Sequence, residues 1–282
     1  MRTLDHGAGV TWVGLAHGPG IHELLDQDPS LIDFVEMPFE QLRHTPSLGS
    51  LREDVPLILH CASMSVAGFI PPSEETIEAI ALETERTKTP WIGEHLAFVS
   101  ADGINEESDR DTAPTNLTYT VSPQLSEEAA ERVAENLRSL RPRFSAPIIL
   151  ENSPQYFAIP GSTMNMIDFV AMVASSCDID LLLDLSHLMI TSANTGVDAF
   201  KEIDRLPLER VVEIHLSGMM HQSGVVWDDH ATPAPTEMFE LLERVMERAR
   251  PKALTIEYNW EALPSHIVAS HVDRARNILA RV

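Results

Sequence analysis

Six residues able to hold a cation or move a proton stand at the carboxyl ends of apolar runs. Leu57-Ile58-Leu59 leads into His60, Trp91-Ile92-Gly93-Glu94 into His95, and Ile148-Ile149-Leu150 into Glu151. Leu181-Leu182-Leu183 leads into Asp184, Val211 through Ile214 into His215, and Leu254-Thr255-Ile256 into Glu257. Two short motifs extend the set. Asp184-Leu185-Ser186-His187 places an acid and an imidazole three apart where a strand gives way to a turn. Asp228-Asp229-His230 places Asp228 and His230 on one side of an extended segment. Imidazoles and carboxylates gathered away from water need cations among them, because unpaired buried charge is costly. His60, His95, Glu151, Asp184, His187, His215, Asp228, His230 and Glu257 exceed what one metal ion takes from a protein. They fit two or three ions, with Glu151 placed to bridge. Such N/O donors suit Fe, Mn or Zn rather than a soft thiolate centre. Spacing alone leaves Asp229 as an alternative to Asp228.

Bringing these side chains together is the task of the elements that carry them. Eight near-continuous apolar runs read as strands buried on both faces. They are Val10–Ala16, Phe34–Phe39, Leu57–Ala62, Trp91–Val99, Pro147–Asn152, Leu181–Leu188, Val211–Met219 and Leu254–Trp260. Helical patterns fill the intervals. Ser73 precedes Glu74 and Glu75, Ser126 precedes Glu127 and Glu128, and Thr236 precedes Glu237, each a hydroxyl able to cap a helix that opens with acids. Alternation of this kind predicts an α/β fold, a (β/α)8 TIM barrel whose carboxyl-end mouth gathers the six strand-end residues. An open doubly wound sheet is the alternative, but His17-Gly18-Pro19-Gly20 after the first strand reads as a turn rather than a dinucleotide loop. One domain over 1–282 is expected, with a polar insertion at about 100–122 that falls on the mouth side and suits either a lid or a solvated loop.

Composition narrows the function. With 20 Lys+Arg against 43 Asp+Glu the net charge is −23, which opposes binding along a phosphate backbone, so no nucleic-acid partner is expected. Two cysteines make no disulfide framework, and no signal-peptide or membrane-length apolar run appears, so the chain reads as cytoplasmic with no membrane association. Cys61 adjoins His60 and by alternation faces the packing side. Glu36, in the second strand, suits either a place at the mouth or a capping or supporting role beside it, and Glu94 and Glu213 are expected to face outward. His6, His17, His22, His44, His221, His266 and His271 are expected at the surface.

In order, LILHCASMSVAG, WIGEHLAFV, ILENSPQYF, LLLDLSHLMITSANTG, VVEIHLSG, DDHATP and TIEYNW resemble the signature blocks of the multinuclear non-heme iron-dependent oxidative enzymes, long catalogued as domain of unknown function 692. The blocks run from about residue 57 to 260. The resemblance implies a TIM barrel holding two or three iron ions in mixed Fe(II)/Fe(III) states, with molecular oxygen as co-substrate. It implies oxidative modification of a ribosomally made precursor peptide, often at cysteine, with a separate partner protein presenting the peptide's leader. By that similarity His60, His95 and Glu151 hold one iron, Glu151, Asp184, His215 and Glu257 the second, and His187, Asp228 and His230 the third. Many relatives carry Asn at the position of His187, so His there favours a filled third site. Catalytic roles are expected of Asp184, His187 and Asn152, the last by orienting Glu151.

Two rivals share the ligand pattern. Trizinc barrels similar to endonuclease IV activate water against DNA phosphates, but they need a basic face that this charge does not provide. Two-metal sugar isomerases of similar type carry a catalytic lysine near the mouth, whereas Lys88, Lys201 and Lys252 fall in helix or loop stretches.

Overall fold

Each apolar run becomes a strand, and the period-two alternation of side chains divides what it carries between two cores. The computed structural model describes residues 10–101, 115–259 and 263–281. The strands are β1 Trp12–Ala16, β2 Phe34–Pro38, β3 Leu57–Cys61, β4 Ile92–His95, β5 Phe98–Ala101, β6 Thr115–Val121, β7 Ile148–Glu151, β8 Leu181–Asp184, β9 Val211–Ser217, β10 Met219–Gln222, β11 Val225–Asp228 and β12 Ala253–Glu257. The helices are α1 Ile21–Gln27, α2 Phe39–His44, α3 Glu74–Thr87, α4 Glu127–Leu140, α5 Met166–Cys177, α6 Leu185–Thr195, α7 Ala199–Glu202, α8 Thr236–Met246 and α9 Ser265–Leu279. Eight strands pair in parallel and close into a barrel in the order β1-β12-β9-β8-β7-β4-β3-β2. This is the TIM barrel that the alternation predicts.

Inside the barrel, Trp12, Phe34, Ile58, Trp91, Ile149, Leu182 and Ala253 form a separate apolar floor. Gly14 makes room for it, since a Cβ there would lie 2.5 Å from the Phe34 ring. Alternate residues such as Leu57, Leu59, Leu181, Leu183, Leu254 and Ile256 face outward into the larger core under the helices. Two residues beyond the floor, on the same inward face, come Glu36, His60, Glu151 and Asp184. The floor therefore fixes the depth of the polar layer.

The expected caps hold at two of three helices. Ser73 accepts from the Thr76 amide and Ser126 from the Ala129 amide, both at 3.2 Å. Thr236 is not a cap: Pro235 occupies that position and Thr236 is the first helical residue. The run Trp91–Val99 divides into β4 and β5, and β5 pairs antiparallel with β6. Of the stretch expected as a polar insertion at 100–122, residues 102–114 lie outside the described residues, as do His6 and Trp260. Among the described residues no helix is long and apolar enough to cross a membrane.

Candidate metal centre

Glu151 ends β7 in the middle of the mouth. Its Oε2 lies 3.3 Å from His60 Nε2 and 3.2 Å from His95 Nε2, while Oε1 lies 3.2 Å from His187 Nδ1 and 3.7 Å from His215 Nδ1. His215 Nδ1 is 3.3 Å from Glu257 Oε2 and 3.9 Å from Asp184 Oδ2. His187 Nε2 and His230 Nε2 flank Asp228 Oδ2 at 3.3 and 3.0 Å. All nine sequence-predicted ligand candidates thus form one continuous cluster, deepest at Asp184 and His215 and most open at His230.

Local structure explains the placement. Asp184 closes β8 and caps α6, its Oδ1 accepting from the His187 amide at 2.6 Å, so the three-residue spacing sets His187 on the first helical turn facing the cluster. Asp228 closes the β10–β11 hairpin, which Asn194 of α6 clamps by accepting from the Val226 amide at 3.0 Å and donating to its carbonyl at 2.8 Å. Ser217 donates to Asp228 Oδ1 at 3.1 Å, leaving Oδ2 to the two histidines. Asp229 does something else: its Oδ1 accepts from the amides of Ala231 and Thr232 and from the Thr232 hydroxyl. Of the two acids that spacing could not separate, only Asp228 faces the cluster.

Four trios bring one donor atom each to within 4.8 Å of one another: His60, His95 and Glu151; Glu151, Asp184 and His187; Asp184, His215 and Glu257; and Glu36, His60 and His215. The first matches a set that the resemblance implied. His187 groups with Glu151 and Asp184 through Nδ1, as well as meeting Asp228 through Nε2. His60 Nδ1, Glu151 Oε2, Asp184 Oδ2 and His215 Nδ1 are buried without a hydrogen-bond partner. Buried polar atoms are rarely left so, and cations bound at the centre would satisfy the Glu151, Asp184 and His215 atoms, while His60 Nδ1 lies on the Gly93 side with Nε2 toward Glu151. The donors are N and O, and the Cys61 thiol points away into the outer core beside Glu40 and Glu94. The residues fit a multinuclear metal site.

Protons take the place of cations in the metal-free cluster. Burial opposes charge on His60, but Glu36 and Glu151 hold its pKa at about 10. His230 is likewise raised, against burial, to about 9 by Glu257 and Asp228. Burial would raise Glu151, yet His95, His187 and His60 hold it well below the ordinary carboxylate range. Asp184 goes the other way: burial lifts it to about 7, with His187 opposing.

Several placements differ from expectation. Glu213 points inward, because residues 213 and 215 are two apart and share a face; it accepts from Trp91 Nε1 at 2.7 Å and from the Thr255 hydroxyl at 2.7 Å. Glu94 does face outward from the barrel, but it is fully buried, accepting from the Met64 amide at 3.2 Å, and burial raises its pKa well above the usual range. The Asn152 side chain turns to Asp184 rather than to the Glu151 carboxylate. Its amide pairs both ways with the Asp184 backbone at 2.9 Å, and the backbone carbonyl of Asn152 lies 2.9 Å from His187 Nδ1. His17 and His271 are half-buried rather than at the surface, against Gln41 and Tyr258 at 2.6 Å.

The neighbouring strand also shapes the site. Gly93 pairs with His60, and a Cβ at Gly93 would lie 2.8 Å from His60 Nδ1 and 2.9 Å from Leu182 Cδ1. Gly93→Ala should push the ring off Glu151 and weaken metal retention about tenfold, as displaced ligand supports do. Metal content after dialysis checks this, and retention equal to wild type would show the ring free to adjust.

The sequence pattern of the family described as "RiPP precursor modification enzyme MbnB/TglH/ChrH" matches residues 12–280. A UPF0276 protein from Caulobacter vibrioides is 27% identical over 263 residues, covering 92% of this chain and 90% of the relative. Another from Anaeromyxobacter sp. is 28% identical over 284 residues, covering 99% and 94%. Among solved structures, endonuclease IV from Thermus thermophilus aligns with a TM-score of 0.58 at 16% identity, covering 96% of this chain and all of that one. A D-tagatose 3-epimerase-like protein gives 0.59 at 12%, covering 96% and 99%. At such identities the structural likeness speaks for the fold alone.

Proposed function

Because the chain belongs to the MbnB/TglH/ChrH family of enzymes that modify the precursors of ribosomally synthesised, post-translationally modified peptides, we propose that it is an oxygen-dependent multinuclear iron enzyme acting on a residue of such a peptide. The observation that carries this reading is the sharing of Glu151 between two ligand trios beside buried, unsatisfied donor atoms. His60, His95 and Glu151 would hold one iron, Glu151, Asp184, His215 and Glu257 a second, and His187, Asp228 and His230 the most open position. Iron bound there supplies exchangeable coordination positions and one-electron redox capacity for using dioxygen against the peptide.

The chain's own residues prepare that chemistry. Asn152 ties the ends of β7 and β8 together, fixing Glu151 and Asp184 side by side. His187 and Asp184, 3.6 Å apart where the second and third sets meet, are the residues to which we assign catalytic work, with Asn152 holding the Asp184 backbone and, through its carbonyl, the His187 ring. Tyr156 packs against Trp227 with ring centroids 4.7 Å apart and planes tilted by 31°, forming an aromatic wall beside Asp228. Burial and then Asp228 raise the Tyr156 pKa, so its hydroxyl keeps its proton at neutral pH at the edge of the site. The apolar floor seals the far end against water. We extend the reading to a single barrel domain working in the cytoplasm, with a separate protein presenting the peptide leader.

Elemental analysis of anaerobically purified protein, with Mössbauer spectra of an iron-57-grown sample, tests the reading. Two or three irons per chain, partly ferrous and reactive with oxygen, are expected. Full zinc occupancy without iron after iron-supplied expression would overturn it and call for a nicking assay on abasic DNA.

A further inference from the structure

Behind His215, away from Glu151, lie three buried polar residues that no ligand assignment uses, Glu36, Glu213 and Thr255. Glu36 of β2 is 1% exposed, and Glu213, His215 and Thr255 are fully buried. His215 Nε2 lies 2.7 Å from Glu36 Oε2. The Thr255 hydroxyl lies 2.7 Å from Glu213 Oε1 and 3.3 Å from Glu36 Oε2, and the indole of Trp91 in the floor donates to Glu213 Oε2 at 2.7 Å. The Glu213 carboxylate sits 3.8 Å from His215 Nε2 on the other side.

An imidazole has two nitrogens with opposite roles when neutral, and a hydrogen bond to one decides which of them keeps a lone pair. In His215 the two nitrogens face different surroundings. Nε2 faces Glu36 at hydrogen-bond distance, whereas Nδ1 has no hydrogen-bond partner and faces Glu257, Glu151 and Asp184 at 3.3, 3.7 and 3.9 Å. We propose that Glu36 is a positioning residue: its carboxylate accepts a hydrogen bond from His215 Nε2–H, fixing the tautomer and the swing of the ring so that the Nδ1 lone pair faces the cluster. Thr255 lies against Glu36, Glu213 holds Thr255 in turn, and the Trp91 indole of the floor holds Glu213. This rests on reading the centre as a metal site.

The alternative is that Glu36 is itself a ligand, since Glu36, His60 and His215 also converge within 4.8 Å. The geometry favours support over ligation. A ligand to the same ion as His215 would have to share Nε2, leaving the unpartnered Nδ1 aimed at three carboxylates with nothing to bind. Hydrogen bonding from Nε2 leaves His215 Nδ1 free for an ion held with Glu151, Asp184 and Glu257.

Fe(II) affinity, measured by anaerobic equilibrium dialysis, and the visible spectrum of Co(II) titrated into the metal-free protein test the proposal. Wild type, Glu36→Gln and Glu36→Ala are compared, with melting of each metal-free protein as a control. Glu36→Ala should weaken one binding step by about 10- to 100-fold, the usual cost of losing such a partner. The other steps should stay intact, and the Co(II) band of that step should shift. Glu36→Gln keeps an acceptor for the Nε2 proton and should recover most of the affinity. A folded Glu36→Gln with affinity as poor as Glu36→Ala would make Glu36 a ligand instead, and wild-type affinity in both variants would remove its role. If wild type takes up neither metal, the reading of the centre fails first, whatever the variants do.

Discussion

Glu151→Gln should strip at least one metal ion per chain and cut turnover by about 10³-fold or more, since a charge at the reacting centre is worth several kcal/mol and each 1.36 kcal/mol is tenfold. Among the described residues no other carboxylate lies against four histidines: His60 and His95 through one oxygen, His187 and His215 through the other. Glutamine keeps the shape and one acceptor but presents an amide nitrogen where a second donor oxygen is needed. Two trios lose their shared anion at once. The metal-free protein should suffer as well. Removing one partner of a buried charged cluster typically costs about 3–5 kcal/mol, because the remaining charges lose their compensation. Asp229→Asn is the matched control, as Asp229 binds only its own turn, and it should keep near wild-type metal and turnover. Metal analysis and melting of both variants check this. Unchanged metal content in Glu151→Gln would refute the bridging role.

How far the sequence leads can be seen strand by strand. His60, Glu151, Asp184 and Glu257 end apolar runs, and once the runs are strands of one closed barrel their convergence follows from geometry. Asp228 and His230 were legible as a pair, but what brings them to the mouth is the β10–β11 hairpin held by Asn194, a contact 32 residues away that no local pattern signals. Glu36 and Glu213 carry a signal in period two, each lying on the face of an inward residue, Phe34 for the first and His215 for the second. Expecting Glu213 to face outward runs against that period. Glu94 shows the opposite limit. Its outward direction follows from alternation, but its complete burial depends on the loop after β3 folding over it through Met64. Spacing could not divide Asp228 from Asp229 because both lie in one short segment, and only their hydrogen-bond partners do so.

Removing the metal should make the protein's stability strongly dependent on pH, and restoring it should reverse the trend. In the metal-free cluster the pKa of His60 stands at about 10 and that of His230 at about 9, against about 6.5 in an unfolded chain. A histidine raised in this way contributes stability that is complete below about pH 6.5 and disappears as pH rises through the folded value. Asp184 and Glu36, both lifted to about 7 by burial, act in the same sense at lower pH: the folded protein prefers them protonated. The metal-free protein should therefore melt at progressively lower temperature from pH 6.5 to 9. Metal binding must displace the same protons, so its affinity should gain about tenfold per pH unit for each proton released. At free metal about 1,000-fold above Kd, one site adds about 4 kcal/mol, or roughly 8–16 °C in Tm for a chain of this size. The gap in Tm between metal-bound and metal-free protein should widen between pH 6.5 and 9. Calorimetric titration in two buffers of different ionisation enthalpy should show the protons leaving. A gap that stays constant with pH, together with heats independent of buffer, would mean that His60 and His230 bind no proton in the metal-free state, and the account of the cluster given by its charges would fall.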